Sequence, residues 1–436
     1  MSFRSIARFG RTECEPGACD VSPTIRPRRD SVKRSAGMTV ARRPPAVDGR
    51  VCPAPSSTLM PLPPTRPSDD RTAALIVVFG FSVGLGVGTL AIPLLALGAG
   101  YDPASVGFLV ATAAATQLGT RLALPRLLGR FPDRTLIGAS SLMMAAAFGL
   151  LLFSTALPIF VAAQLLQGAA RAIFWTSSQT HAIRGPGAPV RRLIDLNVVG
   201  SLGTLTGPAL AGTLAVLGLP VALAAAGLGA LLAAVGSTRL HRMAAFDRTR
   251  SVGTVGLLRR PGVDVACWAS VVGGAWWSMM GSFVPVILVG AGIGPQAIGW
   301  LISASEGAGM TALIALRNVS PGRVPGAVRL AAVGAGAALA AIAVAPPELL
   351  VYAGLLVAGG AASGTVTTLA PAMASLAARS HEQGDALALS GTFRAGALFG
   401  TPALVGALLS VVTLAPALVI VAAGVLLPGL AVGRRR

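Results

Sequence analysis

Residues 93–109, PLLALGAGYDPASVGFL, return later in the chain as residues 285–301, PVILVGAGIGPQAIGWL. The two stretches align without a gap at a shift of 192 residues, and seven of their seventeen positions are identical, both prolines included. Each copy joins the end of one apolar block to the start of the next. The chain is therefore expected to contain two related halves that run in the same direction.

Composition indicates the environment of these blocks. The chain has 436 residues, 53% hydrophobic and 12% charged, with a mean hydropathy of +0.73. Water-soluble domains carry about 25% charged residues, whereas apolar blocks of about 18 residues or more are typical of transmembrane helices. Because hydrocarbon offers the backbone no hydrogen-bonding partner, each block is predicted to be an α-helix. Twelve spans are predicted, at 73–98, 104–125, 135–155, 158–180, 194–216, 219–238, 265–289, 295–315, 329–345, 348–376, 386–408 and 413–431.

The first 71 residues differ from the rest of the chain. They are rich in Arg, Pro and Ser and have no apolar period, so they are expected to form a disordered cytoplasmic tail. Met38 and Met60 lie inside this segment, and either could be the true translation start. Cys14, Cys19 and Cys52 also lie there, with spacings that match neither a zinc site nor a disulfide framework.

Basic residues give an orientation. The net charge of +19 could suggest a nucleic-acid-binding protein, but the arginines follow alternate connections between the spans. Arginines occur in or beside the connections at 126–134, 184–192, 239–260, 317–329, 379 and 434–436. Lys and Arg are absent from the opposite connections at 99–103, 156, 217–219, 290–294, 346–348 and 410–412. The positive-inside rule therefore places both termini in the cytoplasm of a bacterial plasma membrane.

The repeat extends to other spans. Gly168-Ala169-Ala170 matches Gly360-Ala361-Ala362 at the same shift, and glycines of the fifth span match glycines of the eleventh at a shift of 193 to 194. Six spans separate the copies, as in transporters built from parallel repeats. The predicted domains are a tail at 1–71, a six-helix half at 72–238, a cytoplasmic linker at 239–263, a second half at 264–432 and a basic end at 433–436.

On these features the chain resembles the major facilitator superfamily over residues 72–432. The family's loop between helices 2 and 3 has the pattern G-x-x-x-D-R-x-G-x-[RK], and residues 125–134 match it at Arg130 and Arg134. Gly129 stands where the family has an acid, and Asp133 is the nearest substitute. The resemblance implies charge pairing that gates the cytoplasmic side, and the alternative is that these arginines only set topology.

Helix 5 carries a second motif. Residues 203–212, GTLTGPALAG, resemble the G-x-x-x-G-P-x-x-G-G signature that is found mostly in exporters and antiporters of the family, and its defining residues are Gly203, Gly207, Pro208 and Gly212. Glycines allow close helix contact and proline bends a helix, which suits a moving interface; ordinary small-residue packing is the alternative. Helix 4 of proton-linked members carries R-x-x-Q-G, and here Gln164 replaces the arginine.

Ionisable residues within membrane spans usually face a cavity or a partner. Arg171 shares one stripe of span 4 with Gln164 and Gln167 and is the first candidate to bind a polar or anionic substrate group, with a structural salt bridge or snorkelling as the alternative. Glu306, near the middle of span 8, is a candidate to carry a proton or bind a cation, or else a static partner of an arginine. Arg394 in span 11 is the third candidate.

Aromatic and hydroxyl side chains could complete a cavity. Trp276 and Trp277 are adjacent on span 7 and cannot both face the cavity, and tryptophans lie more often at membrane interfaces or in helix packing. Thr365, Thr367 and Thr368 could supply hydroxyl groups, although threonines often bond their own helix.

The sequence predicts an all-α membrane protein of twelve helices that acts as a secondary transporter. The leading hypothesis is proton-coupled export of a small amphipathic molecule by a monomer in the lipid bilayer. The alternatives are an importer of an organic anion, with Arg171 as the counter-ion, and a non-transporting sensor or channel. No nucleotide-binding loop or metal-ligand cluster is recognised, so neither an enzyme nor a cofactor or metal site is expected.

Overall fold

The computed structural model describes residues 67–185, 189–245, 254–316, 319–379 and 382–432. Thirteen α-helices lie within these ranges. The first half contains α1 (Pro67–Gly98), α2 (Pro103–Leu128), α3 (Asp133–Phe153), α4 (Leu157–Arg184), α5 (Pro189–Ala215) and α6 (Leu219–Ser237). The second half contains α7 (Val263–Met280), α8 (Phe283–Gly290), α9 (Pro295–Ala315), α10 (Val324–Val344), α11 (Leu349–Ala377), α12 (Gln383–Leu408) and α13 (Leu414–Val432). Short 3-10 helices at Thr254–Arg259 and Pro321–Arg323 precede α7 and α10.

These helices occupy the predicted positions with two differences. The seventh predicted span, 265–289, is two helices, because α7 and α8 bend by 46° at the break between them. The first helix begins at Pro67 and not after residue 71, so Asp70 belongs to the bundle. Residues 1–66 of the predicted tail, including Met38, Met60 and the three early cysteines, lie outside the described residues.

Eight of the described helices are long and apolar enough to cross a membrane by themselves, and the bent pair α7–α8 makes nine. The remaining helices are α2, α12 and α13. In α2 and α12, polar side chains such as Gln117, Arg121 and Arg394 lower the hydropathy, and in α13 the apolar segment recognised is the shorter Leu414–Leu426. Counting α7 and α8 as one span, the described helices give the twelve-span architecture, and the predicted all-α fold is confirmed.

The packing repeats between the halves. In the first half α1 packs on α5, α2 on α4, and α3 on α4 and α6. In the second half the equivalent pairs are α7 with α12, α9 with α11, and α10 with α11 and α13. The 192-residue sequence repeat is therefore also a repeat of helix neighbours.

The strongest part of the repeat forms the same turn twice. After α1, Gly100 has a φ of +87°, and after α8, Gly292 has a φ of +77°. In both turns the following residue donates a backbone hydrogen bond into the last helical turn, Tyr101 to Ala96 at 3.1 Å and Ile293 to Leu288 at 2.9 Å. Glycine adopts this left-handed conformation without steric cost, so it ends both helices.

The two halves meet at a symmetric pair of seams, α5 against α9 and α2 against α12, with smaller contacts of α8 on α1 and α2. Among the described helices, α4 and α11 have no comparable packing on the other half, and they flank the space between the seams. We call the ends of the helices that adjoin the arginine-bearing connections the basic end, and the other ends the opposite end.

Candidate functional site

Arg171 and Gln167 form a hydrogen-bonded pair on α4. The Arg171 guanidinium donates to Gln167 Oε1 at 2.7 Å. One turn before Arg171, Gly168 packs on the backbone of α2, and one turn after it, Phe174 stacks on Phe81 of α1 at a ring separation of 3.6 Å. Helical spacing therefore directs Arg171 toward the space between α1 and α2.

This pair keeps unused hydrogen-bond donors. Arg171 Nε and Gln167 Nε2 are buried, and neither has a hydrogen-bond partner among the described residues. Gln164, one turn earlier, is also buried. Buried donors are normally satisfied by protein, water or ligand, so these atoms are suited to bind a polar group between the helices.

Glu306 and Arg394 belong to helices on opposite edges of the second half. Beside Glu306 on α9, Ser305 packs on Gly360 of α11 and Gly307 lies 3.4 Å from Leu205 of α5, measured from a Cβ built on Gly307. Arg394 lies on α12 and carries the charge opposite to that of the Glu306 carboxylate. No hydrogen bond, and no ion pair of 4.0 Å or less, joins either side chain to another residue of the described ranges. The static salt bridge considered from sequence is therefore not formed among the described residues.

A third arginine belongs to this group. Arg121 of α2 donates from a terminal nitrogen to the carbonyl of Gly391 on α12 at 3.4 Å, and Gly391 precedes Arg394 by one helical turn. Two cationic side chains, those of Arg121 and Arg394, are therefore attached close together along the contact of α2 with α12. From the sequence alone, Arg121 is only one more basic residue beside the connection at 126–134, because nothing in α2 itself shows that α12 lies beside it.

Trp276 and Trp277 have different surroundings, as expected for adjacent residues of one helix. Trp276 is buried, and its ring lies against Gly359 of α11 in the interior of the second half. Trp277 is half-buried and lies one turn before Gly281, which is 3.5 Å from Thr89 of α1 when measured from a built Cβ. Trp277 is therefore the tryptophan directed toward the other half.

The three threonines of α11 are engaged locally. Thr365 donates to the carbonyl of Ala361 at 2.9 Å, and Thr367 and Thr368 donate to that of Gly364 at 3.1 and 2.8 Å. Their hydroxyl protons are used within the helix, so only their oxygen lone pairs remain for another group.

The loop motif at 125–134 pairs differently from the sequence hypothesis. Asp133 is fully buried and binds Arg184 at the end of α4 at 3.1 Å. Arg130 is exposed, with its guanidinium carbon 5.8 Å from the centre of the Phe131 ring, and Arg134 donates to the carbonyl of Leu240 at 3.4 Å. Asp133 therefore joins α3 to α4 and contacts neither motif arginine, because it starts α3 directly beside the end of α4.

Asp70 organises a second cluster at the basic end that the sequence did not reveal. Its carboxylate binds His181 at 3.2 Å and Arg192 at 3.3 Å, and it accepts a hydrogen bond from the backbone N–H of His241 at 2.7 Å. The side chains of Asp70, His181 and Arg192 are buried. The cluster joins the starts of α1 and α5 to the end of α4 and to the segment after α6.

The helix 5 signature serves two helices at once. Gly203 and Gly207 pack on α1, where a Cβ on Gly207 would lie 2.5 Å from the Cα of Gly86. Pro208 and Gly212 contact α9, where a Cβ on Gly212 would lie 2.5 Å from the Pro295 carbonyl. The backbone N–H of Ala209 also donates to Ser303 Oγ of α9 at 3.0 Å. The motif thus lets α5 pack tightly within its own half and against the other half.

The polar residues between the halves break the repeat that the packing residues keep. The positions equivalent to Glu306, Arg121 and Arg171 at a shift of 192 are Ala114, Leu313 and Ser363. The packing glycines Gly107 and Gly168 recur as Gly299 and Gly360, whereas these charges occur once. Asymmetric charge on a symmetric scaffold identifies this region as the candidate site. In the described ranges, no group of three or more His, Cys, Asp or Glu is placed to hold a metal ion.

Comparison with known proteins gives the same architecture. A search of curated proteins finds no match. Among solved structures, the nucleoside transporter NupG is similar with a TM-score of 0.66 at 11% identity, covering 84% of this chain and 99% of its own. A bacterial homologue of the human lysosomal transporter Spinster, in an inward-facing and occupied conformation, has a TM-score of 0.66 at 11% identity, covering 85% and 94%. A POT family transporter in complex with a thioalcohol-conjugated peptide has a TM-score of 0.64 at 10% identity, covering 83% and 95%.

These likenesses concern the fold. A family model matches the sequence itself, over residues 73–402, and its description is the Major Facilitator Superfamily. The match begins in α1 and ends in α12, so it includes both seams and every charged residue of the candidate site. The chain belongs to the major facilitator superfamily of multi-pass membrane transporters.

Proposed function

We propose that this protein exports a small amphipathic molecule by alternating access, in exchange for protons. The proposal is supported by charged and polar residues on the membrane helices: Arg121 reaches α12 one turn from Arg394, Glu306 lies on α9 beside α5, and Arg171 pairs with Gln167 on α4. Charged side chains inside a membrane cost free energy, so they usually pair with another group or serve the function of the protein. Here Glu306 and Arg394 carry opposite charges and form no direct ion pair among the described residues, which suits a site that is filled and emptied in turn.

Alternating access requires two halves that rock as units. The α5–α9 and α2–α12 seams contain glycines that allow close helix contact, which suits such rocking. The Asp70 cluster and the Asp133–Arg184 pair hold the helices of the first half together at the basic end. The arginine-bearing connections support a cytoplasmic position for the basic end in a bacterial plasma membrane.

The role proposed for Glu306 is coupling. When it is ionised, its carboxylate has a charge opposite to that of Arg394, and protonation removes that charge. Among the described residues, it is the carboxylate nearest the middle of a span, about 16 Å along α9 from Pro295 at 1.5 Å per residue. Protonation of this group therefore changes the net charge of the site, which couples proton movement to substrate movement.

Direction rests on helix 5, whose signature resembles that of exporters. The test is accumulation in a deletion strain that expresses the wild-type protein, with a panel of labelled amphipathic compounds. Export predicts lower accumulation than in cells with Glu306→Gln, and an uncoupler should remove the difference. Higher accumulation in the wild type would establish the alternative, uptake of an organic anion, and equal accumulation throughout the panel would favour a non-transporting sensor.

A further inference from the structure

We infer that Arg121 and Arg394 form an anion-binding subsite that spans the two halves, and that the transported molecule carries one negatively charged group, such as a carboxylate or phosphonate, bound there. This inference rests on the proposed transport function, whose site it specifies. Arg121 belongs to α2 of the first half and Arg394 to α12 of the second. A ligand on both residues therefore connects the halves.

The first argument is proximity. The Arg121 guanidinium reaches α12 and donates to the Gly391 carbonyl at 3.4 Å. Arg394 follows Gly391 by three residues, which places it on the same face of α12 one turn nearer the opposite end. The two residues also lie at similar distances from the opposite end: Arg121 lies about 27 Å along α2 from Pro103, and Arg394 lies about 21 Å along α12 from Leu408.

The second argument is the absence of a direct counter-ion. No carboxylate of the described ranges lies within 4.0 Å of either guanidinium. Arg121 Nε is buried and has no hydrogen-bond partner among the same residues. Arg121 contacts α12 one helical turn from Arg394, and like charges that are neighbours in a low-dielectric setting need a compensating negative group. Arginine is suited to that task because its planar donors bind carboxylate and phosphate oxygens in a fork.

The third argument is charge balance. The two arginines contribute two positive charges and the ionised Glu306 contributes one negative charge, which leaves one positive charge. A monoanionic group neutralises the cluster. Glu306 and the ligand then compete for Arg394, since a bound anion occupies the donors toward which the carboxylate is attracted. Such competition gives the ligand different affinities for two states of the protein, which a conformational change requires.

The fourth argument is sequence asymmetry. The α5–α9 seam, which is the counterpart of the α2–α12 seam, has Leu313 where α2 has Arg121, and Ser201 where α12 has Arg394 at a shift of 193. The glycine–proline contact of the seam is kept in both halves, as Gly299 with Pro208 and as Gly107 with Pro402. The two arginines are therefore not needed to join the helices, and a ligand explains why only one seam carries charge.

The experiment measures binding without transport. Purified full-length protein in nanodiscs is titrated with benzoate, phenylphosphonate and the neutral analogue benzamide, and the melting temperature and tryptophan fluorescence are recorded. The expected result is saturable stabilisation by the two anions and none by benzamide. Arg121→Gln and Arg394→Gln should each weaken anion binding at least about tenfold, as expected for a lost charge-assisted hydrogen bond.

Controls separate binding from folding. Arg323→Gln removes an exposed charge outside the site and should leave anion binding unchanged. Arg394→Lys keeps the charge and should retain part of the binding if the Gln variant fails through lost charge and not through misfolding. Equal stabilisation by benzamide, full anion binding by Arg394→Gln, or no response to either anion would each overturn the inference. Because no gradient is present, failure of binding leaves the transport proposal untouched. Conversely, a protein that binds anions but never moves them across a membrane would overturn the transport proposal alone.

Discussion

Gly299 of α9 lies directly against the backbone carbonyl of Pro208 of α5, where a side chain would collide with the helix backbone. The repeat places the same arrangement on the other seam, where Gly107 of α2 lies against the carbonyl of Pro402 of α12. The proline removes an amide donor from each helix and the glycine lets the partner approach. Each half thus supplies one glycine and one proline, and the two halves meet through equivalent contacts.

A methyl group at this contact should be destabilising. A Cβ at position 299 would overlap the Pro208 carbonyl, and backbone cannot yield as a side chain can. We expect Gly299→Ala to lower the free energy of unfolding by about 1–3 kcal/mol, the usual cost of overpacking. Thermal unfolding of the protein in nanodiscs would measure it.

The matched control is Gly119→Ala on α2, which has open space around the added carbon. Alanine favours a helix over glycine by about 1 kcal/mol, so this variant should be as stable as the wild type or more so. Two variants that change stability in the same direction and by the same amount would contradict the seam geometry.

The Asp70 cluster should be essential for the basic end of the first half. Asp70→Ala removes the carboxylate from two buried cations, His181 when protonated and Arg192. Breaking a buried ion pair costs about 3–5 kcal/mol, so we expect a large fall in the melting temperature. Asp102→Asn is the control, because Asp102 is exposed and asparagine can still accept the hydrogen bond that Asp102 receives from the Ser105 N–H. A melting temperature as high for Asp70→Ala as for the control would refute the cluster's role.

Substitutions of Arg184 and of Arg130 should have different effects on stability. Arg184 holds the fully buried Asp133, whereas Arg130 is exposed beside Phe131. We expect Arg184→Gln to destabilise the protein by about 1–3 kcal/mol, the cost of leaving a buried charged acceptor unsatisfied. Arg130→Gln should stay within about 0.5 kcal/mol of the wild type, as surface substitutions do. If Arg130→Gln lowered the free energy of unfolding more than Arg184→Gln, the charge pairing of the family's loop would have to be assigned to Arg130.

The adjacent tryptophans should separate stability from binding. Trp276 fills the interior beside Gly359, and its replacement by alanine should cost about 3–5 kcal/mol. Trp277→Phe should leave the melting temperature nearly unchanged and reduce the fluorescence change that ligand causes. An unchanged fluorescence response in Trp277→Phe, with the response lost in Trp276→Phe, would reverse the two assignments.

Much of the fold is readable from the sequence because membrane spans are local features. Hydropathy located the twelve spans, and the repeat at 93–109 and 285–301 predicted the doubled architecture. The break at Gly281 was not predicted, since a glycine and a serine within an apolar run also occur in straight helices. The start of α1 was not predicted, because Asp70 is indistinguishable from the residues of a polar tail until the three groups that bind it are known.

The site was readable only in part, for the same physical reason. Arg171, Glu306 and Arg394 were recognisable as charges inside spans. Arg121 was not, because it lies near a basic loop and its meaning depends on α12, about 270 residues away. Asp133 was assigned to the loop arginines by sequence adjacency, whereas the packing of α3 on α4 gives it Arg184. Which residues meet across helices is a property of packing, and one sequence does not reveal it.

The most direct test of the account is proton movement in proteoliposomes that contain a pH-sensitive dye and a compound identified by the accumulation screen. The account predicts that the wild-type protein moves protons only when the compound moves in the opposite direction. Glu306→Gln should lose this proton movement while compound-for-compound exchange continues. Proton-coupled transport of normal rate by Glu306→Gln would contradict the coupling role given to this carboxylate, and compound movement that no proton gradient affects would contradict the central claim of proton-driven export.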